Sequence, residues 1–331
     1  MRDVADLADV SITTVSHVVN NTRPVAADTR ERVLAAIEAT GYAGDAIARS
    51  LVTGGTRSLG VAVPLVADPH FAELLRAIEH EASERGYSLL FVDTHDEAGA
   101  EQAAVRTLRS RRVDGLLLSP SPTAATGLLP TLRQAGLPTV LVDRMPENTG
   151  TDQVGPENVQ ATSTLVRHLA ERGHRRIALI GGPPELVTSA ERVLGYRLGL
   201  GRAKLVWDPG LVLSSEPSTQ AAIETARRLL IVPDPATAVI AGSSAALVGV
   251  LRAAREQDLK IGRELAVVGY HDVDWAELID PPLTTMAVPV EAIGRTAVRM
   301  LLDRIAEPDR PARTVRMPPT LMHRRSCGCD L

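Results

Sequence analysis

Apolar residues recur at helical spacing in three short stretches of the first forty residues. They are Val4, Leu7 and Ala8 in the first stretch, Val15, Val18 and Val19 in the second, and Val33, Leu34 and Ile37 in the third, over residues 29–40. Ser11 stands just before the second stretch, where a hydroxyl group can cap a helix N-terminus. The pattern therefore predicts three helices in residues 1–42, with each apolar set facing inward.

From Arg57 onward the pattern changes to alternating strand-like and helix-like runs. The strand-like runs are residues 59–66, 88–92, 115–118, 139–142, 177–180, 238–241 and 265–268. The helix-like runs between and after them are residues 71–85, 102–111, 158–172, 189–200, 220–230, 245–257 and 293–304. Such alternation predicts parallel sheets covered by helices on both faces. Because the strands are too many for one compact sheet, we expect two doubly wound lobes of an α/β fold, with a ligand crevice at the carboxyl ends of the strands.

A short segment joins these two regions. Residues 45–51 are compatible with a helix, and a Thr-Gly-Gly-Thr join follows at residues 53–56. A helix of about two turns is marginal by itself in water, so we expect this one to fold on binding. The predicted organisation is then a helical domain at 1–42, a hinge helix and linker at 43–56, a core at 57–325 with the chain crossing between lobes near 155–158 and 287, and a tail at 326–331.

Composition narrows the class of protein. The chain has 331 residues and a net charge of −4. It contains no run of 18 apolar residues, which predicts no membrane span, and it opens without the apolar stretch of a signal peptide, so we expect a cytoplasmic protein. Cys327 and Cys329 have no matching Cys or His cluster in the sequence. They are interpreted as reduced, exposed thiols of the tail, and neither a metal nor a cofactor is expected.

The motifs argue against an enzyme and for a DNA-binding protein. The run Gly181-Gly182-Pro183 lacks the spacing of a dinucleotide-binding loop, and the sequence contains no Gly-Lys-Thr/Ser phosphate loop. Two short helices joined by a tight turn, the second opening on hydroxyl groups and carrying His17 on its polar face, are typical of a helix-turn-helix. A solute-binding protein with a vestigial N-terminus is the alternative, but such a protein would carry a signal peptide.

Many further motifs occur in a fixed order along the chain. They include Asp3-Val4-Ala5, Val10-Ser11, Thr14-Val15-Ser16, Val19-Asn20, Arg112-Val113-Asp114-Gly115, Gly173-His174-Arg175-Arg176, Val268-Gly269-Tyr270 and Pro281-Pro282-Leu283-Thr284-Thr285. With them the chain resembles the lactose/galactose repressor family of bacterial transcription regulators over essentially its whole length. The resemblance implies a homodimer that binds a near-palindromic double-stranded DNA operator. It also implies a core similar to periplasmic sugar-binding proteins, which binds a small-molecule effector.

The helix-turn-helix is closest to the subset of that family containing the purine and ribose repressors. By this resemblance Thr13 and His17 face base edges, and Ile12, which replaces a threonine of those relatives, can contact only a thymine methyl group. Backbone phosphate contacts are implied for Ser11, Thr14, Ser16, Asn20 and Arg23. In the hinge, Arg49 is an implied DNA contact. Leu51 is implied to enter the minor groove as an apolar wedge, the alternative being that it packs under the core.

The charge of this region is unusual for a DNA-binding unit. Residues 1–57 contain six arginines and seven acidic residues, so there is no basic excess. Nucleic-acid-binding domains usually carry a positive face. We therefore expect helix N-termini and the local arrangement of charges to supply the attraction for phosphate.

The resemblance also implies a set of effector contacts at strand ends. They are Asp68, His70, Phe71, Asp143, Arg144, Thr188, Arg192, Ser243, His271 and Asp272. Among them Asp143, Arg144 and Arg192 match a pattern in which a carboxylate and guanidinium groups hold ring hydroxyls.

Two departures from the family pattern leave the ligand open. Ser243-Ser244 replaces Asn-Asp, and His271 stands where the family has a ligand-binding Asp, although Asp272 could substitute after a small shift. His271 could instead recognise an anionic or purine-like ligand and make binding sensitive to pH near 6.5. A sugar-like effector, another small molecule, and a crevice that binds no effector all remain open.

Overall fold

The N-terminal unit folds as three helices. A computed structural model describes residues 1–20, 23–40, 55–64 and 68–329 of the chain. The helices are α1 (Arg2–Ala8), α2 (Ile12–Asn20) and α3 (Ala27–Thr40). Their core consists of Val4, Ala5, Ala8, Val15, Val18, Val33 and Ala36.

Two of the apolar residues predicted to face inward do not. Leu7 and Leu34 leave 58% and 49% of their surface exposed, because each lies about 100° around its helix from the buried face. Val19 and Ile37 are partly buried. The inward predictions for Val4, Ala8, Val15, Val18 and Val33 are confirmed.

The turn between α1 and α2 is fixed by local hydrogen bonds. Helix α1 ends at Asp9, whose φ of 51° is left-handed. The Ser11 side chain then accepts a hydrogen bond from the backbone N–H of Thr14 at 3.1 Å, which confirms its role as a cap. The Arg32 guanidinium of α3 donates to the carbonyl of Ala8 at 3.0 Å and ties the end of α1 to α3.

Two six-stranded sheets follow. The N lobe has the order β11-β5-β4-β3-β1-β2, with all pairs parallel. Its strands are β1 (Ser58–Val63), β2 (Ser88–Asp93), β3 (Gly115–Leu118), β4 (Thr139–Val142), β5 (Asp152–Pro156) and β11 (Thr314–Met317). Its helices are α4 (Pro69–Glu84), α5 (Ala98–Ser110), α6 (Leu128–Gln134) and α11 (Val290–Ala306).

The C lobe repeats this plan with the order β12-β10-β9-β8-β6-β7, in which only β12 pairs antiparallel. Its strands are β6 (Ile177–Gly181), β7 (Val212–Ser214), β8 (Ala238–Ala241), β9 (Ala266–Tyr270), β10 (Thr284–Ala287) and β12 (Thr320–Met322). Its helices are α7 (Asn158–Glu171), α8 (Val187–Arg202), α9 (Thr219–Leu230) and α10 (Ser244–Glu256). The predicted fold class, with two doubly wound lobes, is confirmed.

All seven predicted strands are present, and within the described residues the structure adds β5, β7, β10, β11 and β12. The predicted strands are apolar runs, and all except the edge strand β2 are largely buried, as expected for parallel strands covered on both faces. Several of the added strands carry polar residues, and β7 and β12 have only three residues each, so their pattern did not separate them from loops. Helix α6, of seven residues, was missed for the same reason.

The chain crosses between the lobes three times within the described residues. The crossings lie between β5 and α7, between β10 and α11, and between β11 and β12. Neither lobe is therefore one continuous piece of chain. Where the chain enters the N lobe, the Asp114 carboxylate accepts hydrogen bonds from the backbone N–H groups of Thr56 and Arg57 at 2.7 and 2.9 Å. No helix within the described ranges is long and apolar enough to cross a bilayer.

The prediction of exposed thiols in a tail is wrong. Cys327 and Cys329 expose 0% and 1% of their surface and pack into the C-lobe core. Ser326 anchors this segment, since its hydroxyl group donates to the carbonyl of Val267 at 2.6 Å and accepts from the backbone N–H of Thr284 at 2.8 Å.

Candidate functional site: a helix-turn-helix surface and a crevice between two lobes

Helix α2 presents one polar face. Ile12 and Thr13 are exposed, and Ser16 and His17 are partly buried. At 100° per residue these four side chains project from the same side, opposite the buried Val15 and Val18. Ile12 exposes 46% of its surface, which leaves its methyl groups free to meet an apolar group.

The acidic residues of the unit lie on elements other than α2. Helix α2 carries no acidic residue, and the acidic residues of the described unit lie on α1, on α3 or in the turn at Asp9. At the start of α2 the hydroxyl groups of Ser11 and Thr14 lie 2.9 Å apart in a hydrogen bond. The helix therefore offers hydroxyl groups, an imidazole and the positive end of its dipole, a combination suited to phosphate and base edges.

The structure describes only some of the other predicted DNA contacts. Arg23 is exposed next to α2. The side chain of Asn20, and Arg49 and Leu51 altogether, fall outside the residues that the structure describes. Their roles stay predictions.

The second site is a cavity of about 390 Å³ between the lobes. Nine of the ten predicted effector contacts line it: Asp68, His70, Phe71, Asp143, Arg144, Thr188, Arg192, Ser243 and His271. They converge because each follows a parallel strand at its carboxyl end or lies near the start of the next helix. The hydroxyl group of Ser244 reaches Asp68 across the lobe boundary at 3.4 Å.

His70 and Asp143 form a buried pair in the lining of the cavity. The Nε2 atom of His70 lies 2.8 Å from a carboxylate oxygen of Asp143. Burial raises the pKa of Asp143, but the His70 imidazole and the Arg144 and Arg192 guanidinium groups outweigh that effect, so the pKa is lowered. Asp143 is therefore an ionised carboxylate whose charge is already balanced by groups of the protein.

His271 faces the same space. Its ring centroid lies 4.3 Å from that of His70, and its Nδ1 atom and that of His70 are buried without a hydrogen-bond partner. Burial, followed by the charges of His70 and Arg192, lowers the pKa of His271 well below 6.5. The expected pH sensitivity of binding near 6.5 is thus wrong for this residue, because desolvation keeps the imidazole neutral there.

This lowered pKa predicts a pH dependence of stability. Unfolded chains have a histidine pKa of about 6.5, so below that pH the unfolded state takes up a proton at residue 271 that the folded state does not. Acidification from pH 6.5 to 5.5 should therefore destabilise the wild type through His271 by up to about 1.4 kcal/mol.

Replacing His271 with asparagine should remove that part of the pH dependence. Urea denaturation at both pH values measures it, and His80→Asn, at an exposed position, is the control. Equal slopes for the wild type and His271→Asn would contradict the prediction.

Two predicted effector contacts form hydrogen bonds within the protein. Arg144 forms a bidentate pair with Asp96, one of whose oxygens lies 2.9 Å from Nη2. The hydroxyl group of Ser243 caps α10 by accepting from the backbone N–H of Ala246 at 3.1 Å. Arg144 therefore positions the loop after β2 as well as lining the cavity.

Arg192 is held in place but keeps an unused donor. Its Nη1 atom donates to the carbonyl of Gly242 at 2.8 Å. The guanidinium carbon lies 4.1 Å from the centre of the Tyr270 ring, a cation–π geometry. Its Nε atom is buried with no partner, and unsatisfied buried donors are costly, so a ligand atom is favoured here.

Asp272 does not reach this cavity, and the expected shift toward a ligand is wrong. Its carboxylate pairs with the Arg324 guanidinium at 2.8 and 3.0 Å and accepts from the Thr285 hydroxyl group at 2.7 Å. It lines an adjoining cavity of about 750 Å³, which shares His70, His271 and Trp275 with the first. These three hydrogen bonds commit both carboxylate oxygens elsewhere.

Several lining residues were not predicted: Asp96, Ser189, Ser215 and Trp275. Asp96 follows the predicted strand β2, so its position after a strand was a signal, whereas Ser215 follows β7, which the sequence pattern did not indicate. Trp275 lies in a 3₁₀ turn, Asp274–Glu277, and no sequence pattern indicated it. Together with Phe71 it gives the cavity an aromatic wall.

Comparison with known proteins adds relatives over the full length. Residues 1–45 match the family "Bacterial regulatory proteins, lacI family", and residues 166–327 match "Periplasmic binding protein-like domain". The ribose operon repressor of Escherichia coli (strain K12) is 34% identical over 98% of this chain and 99% of its own length. The transcriptional repressor PurR of Aliivibrio salmonicida is 31% identical over 98% of both chains.

Solved structures of similar proteins share the fold of this chain. A complex of the transcriptional regulator CelR with cellobiose has a TM-score of 0.74 and 31% identity, with 98% of each chain covered. The lac repressor dimer bound to operator and the anti-inducer ONPF has a TM-score of 0.85 and 27% identity, also over 98% of each chain.

Proposed function

The chain belongs to the lacI family of bacterial regulatory proteins and is a DNA-binding transcriptional regulator rather than an enzyme, and we propose that it represses a near-palindromic operator as a homodimer under the control of a sugar. Residues 1–42 would read the operator in the cytoplasm, and residues 43–56, including Arg49 and Leu51, would complete the contact in the minor groove. Residues 57–325 would form the sensor.

The proposal of a sugar ligand is based on three unpaired polar atoms in the crevice. The Nδ1 atoms of His70 and His271 and the Nε atom of Arg192 are buried without partners, and hydroxyl groups can both donate to and accept from such atoms. Phe71 and Trp275 supply apolar surface for a ring.

The charges favour a neutral ligand over an anionic one. Three carboxylates, those of Asp68, Asp96 and Asp143, line the cavity against two guanidinium groups. Because burial lowers the pKa of His271 and keeps it neutral, this residue adds no positive charge that would attract an anion. A purine-like ligand, which the aromatic wall would also fit, is the second candidate.

A chain of hydrogen bonds links the crevice to the segments that cross between the lobes. Tyr270, beneath Arg192, donates its hydroxyl to the Asn158 side chain at 2.7 Å. Asn158 donates to Glu191 at 2.7 Å, and Glu191 pairs with Arg316 of β11 at 2.7 Å. Asn158 lies at the first crossing and Arg316 immediately before the third. A ligand that moves Arg192 would thereby bias the relative position of the lobes, which is the two-state element that allostery needs.

Operator recognition is tested by selecting a random duplex library with the purified protein. We expect a near-palindrome, and His17→Ala should weaken binding to it by about 1–2 kcal/mol, roughly tenfold, with lost discrimination at one base pair in each half-site. Leu34→Ala, at an exposed position of α3, is the control and should bind like the wild type.

Recovery of no preferred sequence would overturn the repressor proposal in favour of a solute sensor with degenerate DNA recognition. A uniform loss of affinity across all sequences in His17→Ala would instead reassign His17 to the DNA backbone.

A further inference from the structure

Four potential metal ligands meet in the C lobe, away from the crevice. They are His168 of α7, His323 just after β12, and Cys327 and Cys329, and their ligand atoms all lie within 4.8 Å of one another. The two sulfur atoms are 3.1 Å apart, and the Sγ atom of Cys329 is 3.9 Å from the Nε2 atom of His168. The ring centroids of the two histidines are 5.0 Å apart.

The backbone between the cysteines is shaped to bring both sulfur atoms to one side. Gly328 has a φ of +85°, and a Cβ atom there would lie 2.9 Å from the carbonyl oxygen of Gly262. Only glycine combines that left-handed conformation with that close approach. The turn is closed by a hydrogen bond from the N–H of Gly328 to the carbonyl of Arg325 at 3.0 Å.

We propose that His168, His323, Cys327 and Cys329 bind one zinc ion. Two thiolates and two imidazoles are a common tetrahedral ligand set for structural zinc. Zinc–sulfur bonds of about 2.3 Å and zinc–nitrogen bonds of about 2.0 Å place ligand atoms roughly 3.3–3.8 Å apart in a tetrahedron. The cluster needs only small side-chain adjustments to reach those separations.

The surroundings support a thiolate site with one open side. The cysteines and Thr284 are buried, His168 is partly buried, and His323 is exposed, so an ion can enter from solvent past His323. The Thr284 hydroxyl group donates to the Sγ atom of Cys327 at 3.2 Å, the kind of hydrogen bond that orients a ligand and tunes its metal. Burial raises the pKa of Cys327, but hydrogen bonds with His168, Thr284 and Cys329 outweigh it and lower the pKa to about 6.

A disulfide between the cysteines is the competing chemistry. Their sulfur separation of 3.1 Å exceeds the bond length of about 2.05 Å. Disulfides are also rare in reducing compartments. A disulfide would not explain why two histidines from distant parts of the chain converge on these sulfur atoms. The ion would fasten the segment after β12 to α7 and so brace two of the three segments that cross between the lobes.

The full chain, purified in a reducing buffer and stripped with a chelator, tests the proposal. Titration with Zn²⁺ should give one ion per chain, and Co²⁺ should give the intense visible absorption of a tetrahedral site with thiolate ligands. Zinc should also raise the unfolding temperature, because it binds the folded state.

Variants assign the ligands. His323→Ala, at an exposed position that should not disturb folding, should lose the tetrahedral cobalt spectrum, and Cys329→Ala should lose zinc binding. Thr284→Val should keep the stoichiometry but weaken affinity by about 10–100-fold. His80→Ala, at an exposed histidine outside the cluster, should behave like the wild type.

Three results would overturn the proposal. One is a reduced, folded protein that binds no zinc. Another is a cobalt spectrum that is octahedral or unchanged in His323→Ala. The third is a protein isolated with a Cys327–Cys329 disulfide that forms again in preference to zinc binding in a cytosol-like glutathione buffer.

Discussion

Replacing Arg192 with methionine is expected to weaken sugar binding at least 100-fold while operator affinity without sugar stays within about threefold. Hydrogen bonds to a charged group are worth about 1.5–3 kcal/mol each. The variant removes the guanidinium group that lies against the crevice while methionine keeps the apolar stem. The helix-turn-helix is untouched, so the loss should fall on ligand binding and on the response of the operator to ligand.

The control for this prediction lies five residues further along the same helix. Arg197 also stacks on an aromatic ring, with its guanidinium carbon 4.2 Å from the centre of Trp207, but it does not line the crevice. Arg197→Met therefore removes a similar cation–π contact and should leave sugar binding unchanged.

A ligand screen provides the measurement. A panel of pentoses, hexoses and disaccharides, with ribose and cellobiose included, is screened by thermal shift, and the compounds that raise the unfolding temperature are titrated by calorimetry. Operator affinity is then measured with and without each of them. A wild type that responds to purines but to no sugar would support the second candidate, and a response to neither would support a repressor without an effector. An Arg192→Met variant that binds sugar normally would contradict the assigned contact.

Replacing Gly195 with alanine is expected to lower the free energy of unfolding by about 3 kcal/mol, which corresponds to a fall of roughly 6–12 °C in the unfolding temperature. A Cβ atom at this position would lie 2.2 Å from the carbonyl oxygen of Val159 and 3.0 Å from the Cβ atom of Thr162. Both belong to α7, so α7 and α8 could pack only after moving apart. Backbone atoms cannot give way as a flexible side chain can, which places the cost at the upper end of overpacking.

Gly201 provides the matched substitution in the same helix. A Cβ atom there would meet nothing within 4 Å, so Gly201→Ala should be neutral or stabilise by up to about 1 kcal/mol through helix propensity. Urea denaturation of the two variants and the wild type makes the comparison. An equal change in both variants would show that the contact between α7 and α8 does not govern the stability at Gly195.

The sequence predicted where the two sites lie more readily than which of their polar side chains pair with one another. Ser11 as a cap and the polar face of α2 follow from local signals, because hydroxyl caps and helical spacing are properties of a few adjacent residues. The nine side chains that line the crevice were assigned by the family resemblance, which placed them at strand ends. Trp275 was missed because no sequence pattern indicated it, and Asp96 was missed although it closely follows a predicted strand. Arg144 was identified as a lining residue, but its pairing with Asp96 joins residues 48 apart in the chain.

The amino-acid sequence alone indicated seven of the twelve strands within the described residues, the doubly wound plan of the two lobes, and the edge of each sheet at which ligand contacts gather. Apolar spacing encodes these directly, since it records which faces must be buried. The tertiary structure alone decides which polar groups form hydrogen bonds and ion pairs with one another. Asp272 turns to Arg324 and away from the crevice, and Cys329 meets His168 across 161 positions of the chain. Such pairings depend on where distant backbone segments come together and on which way each side chain points once they do, and adjacent residues carry no record of either.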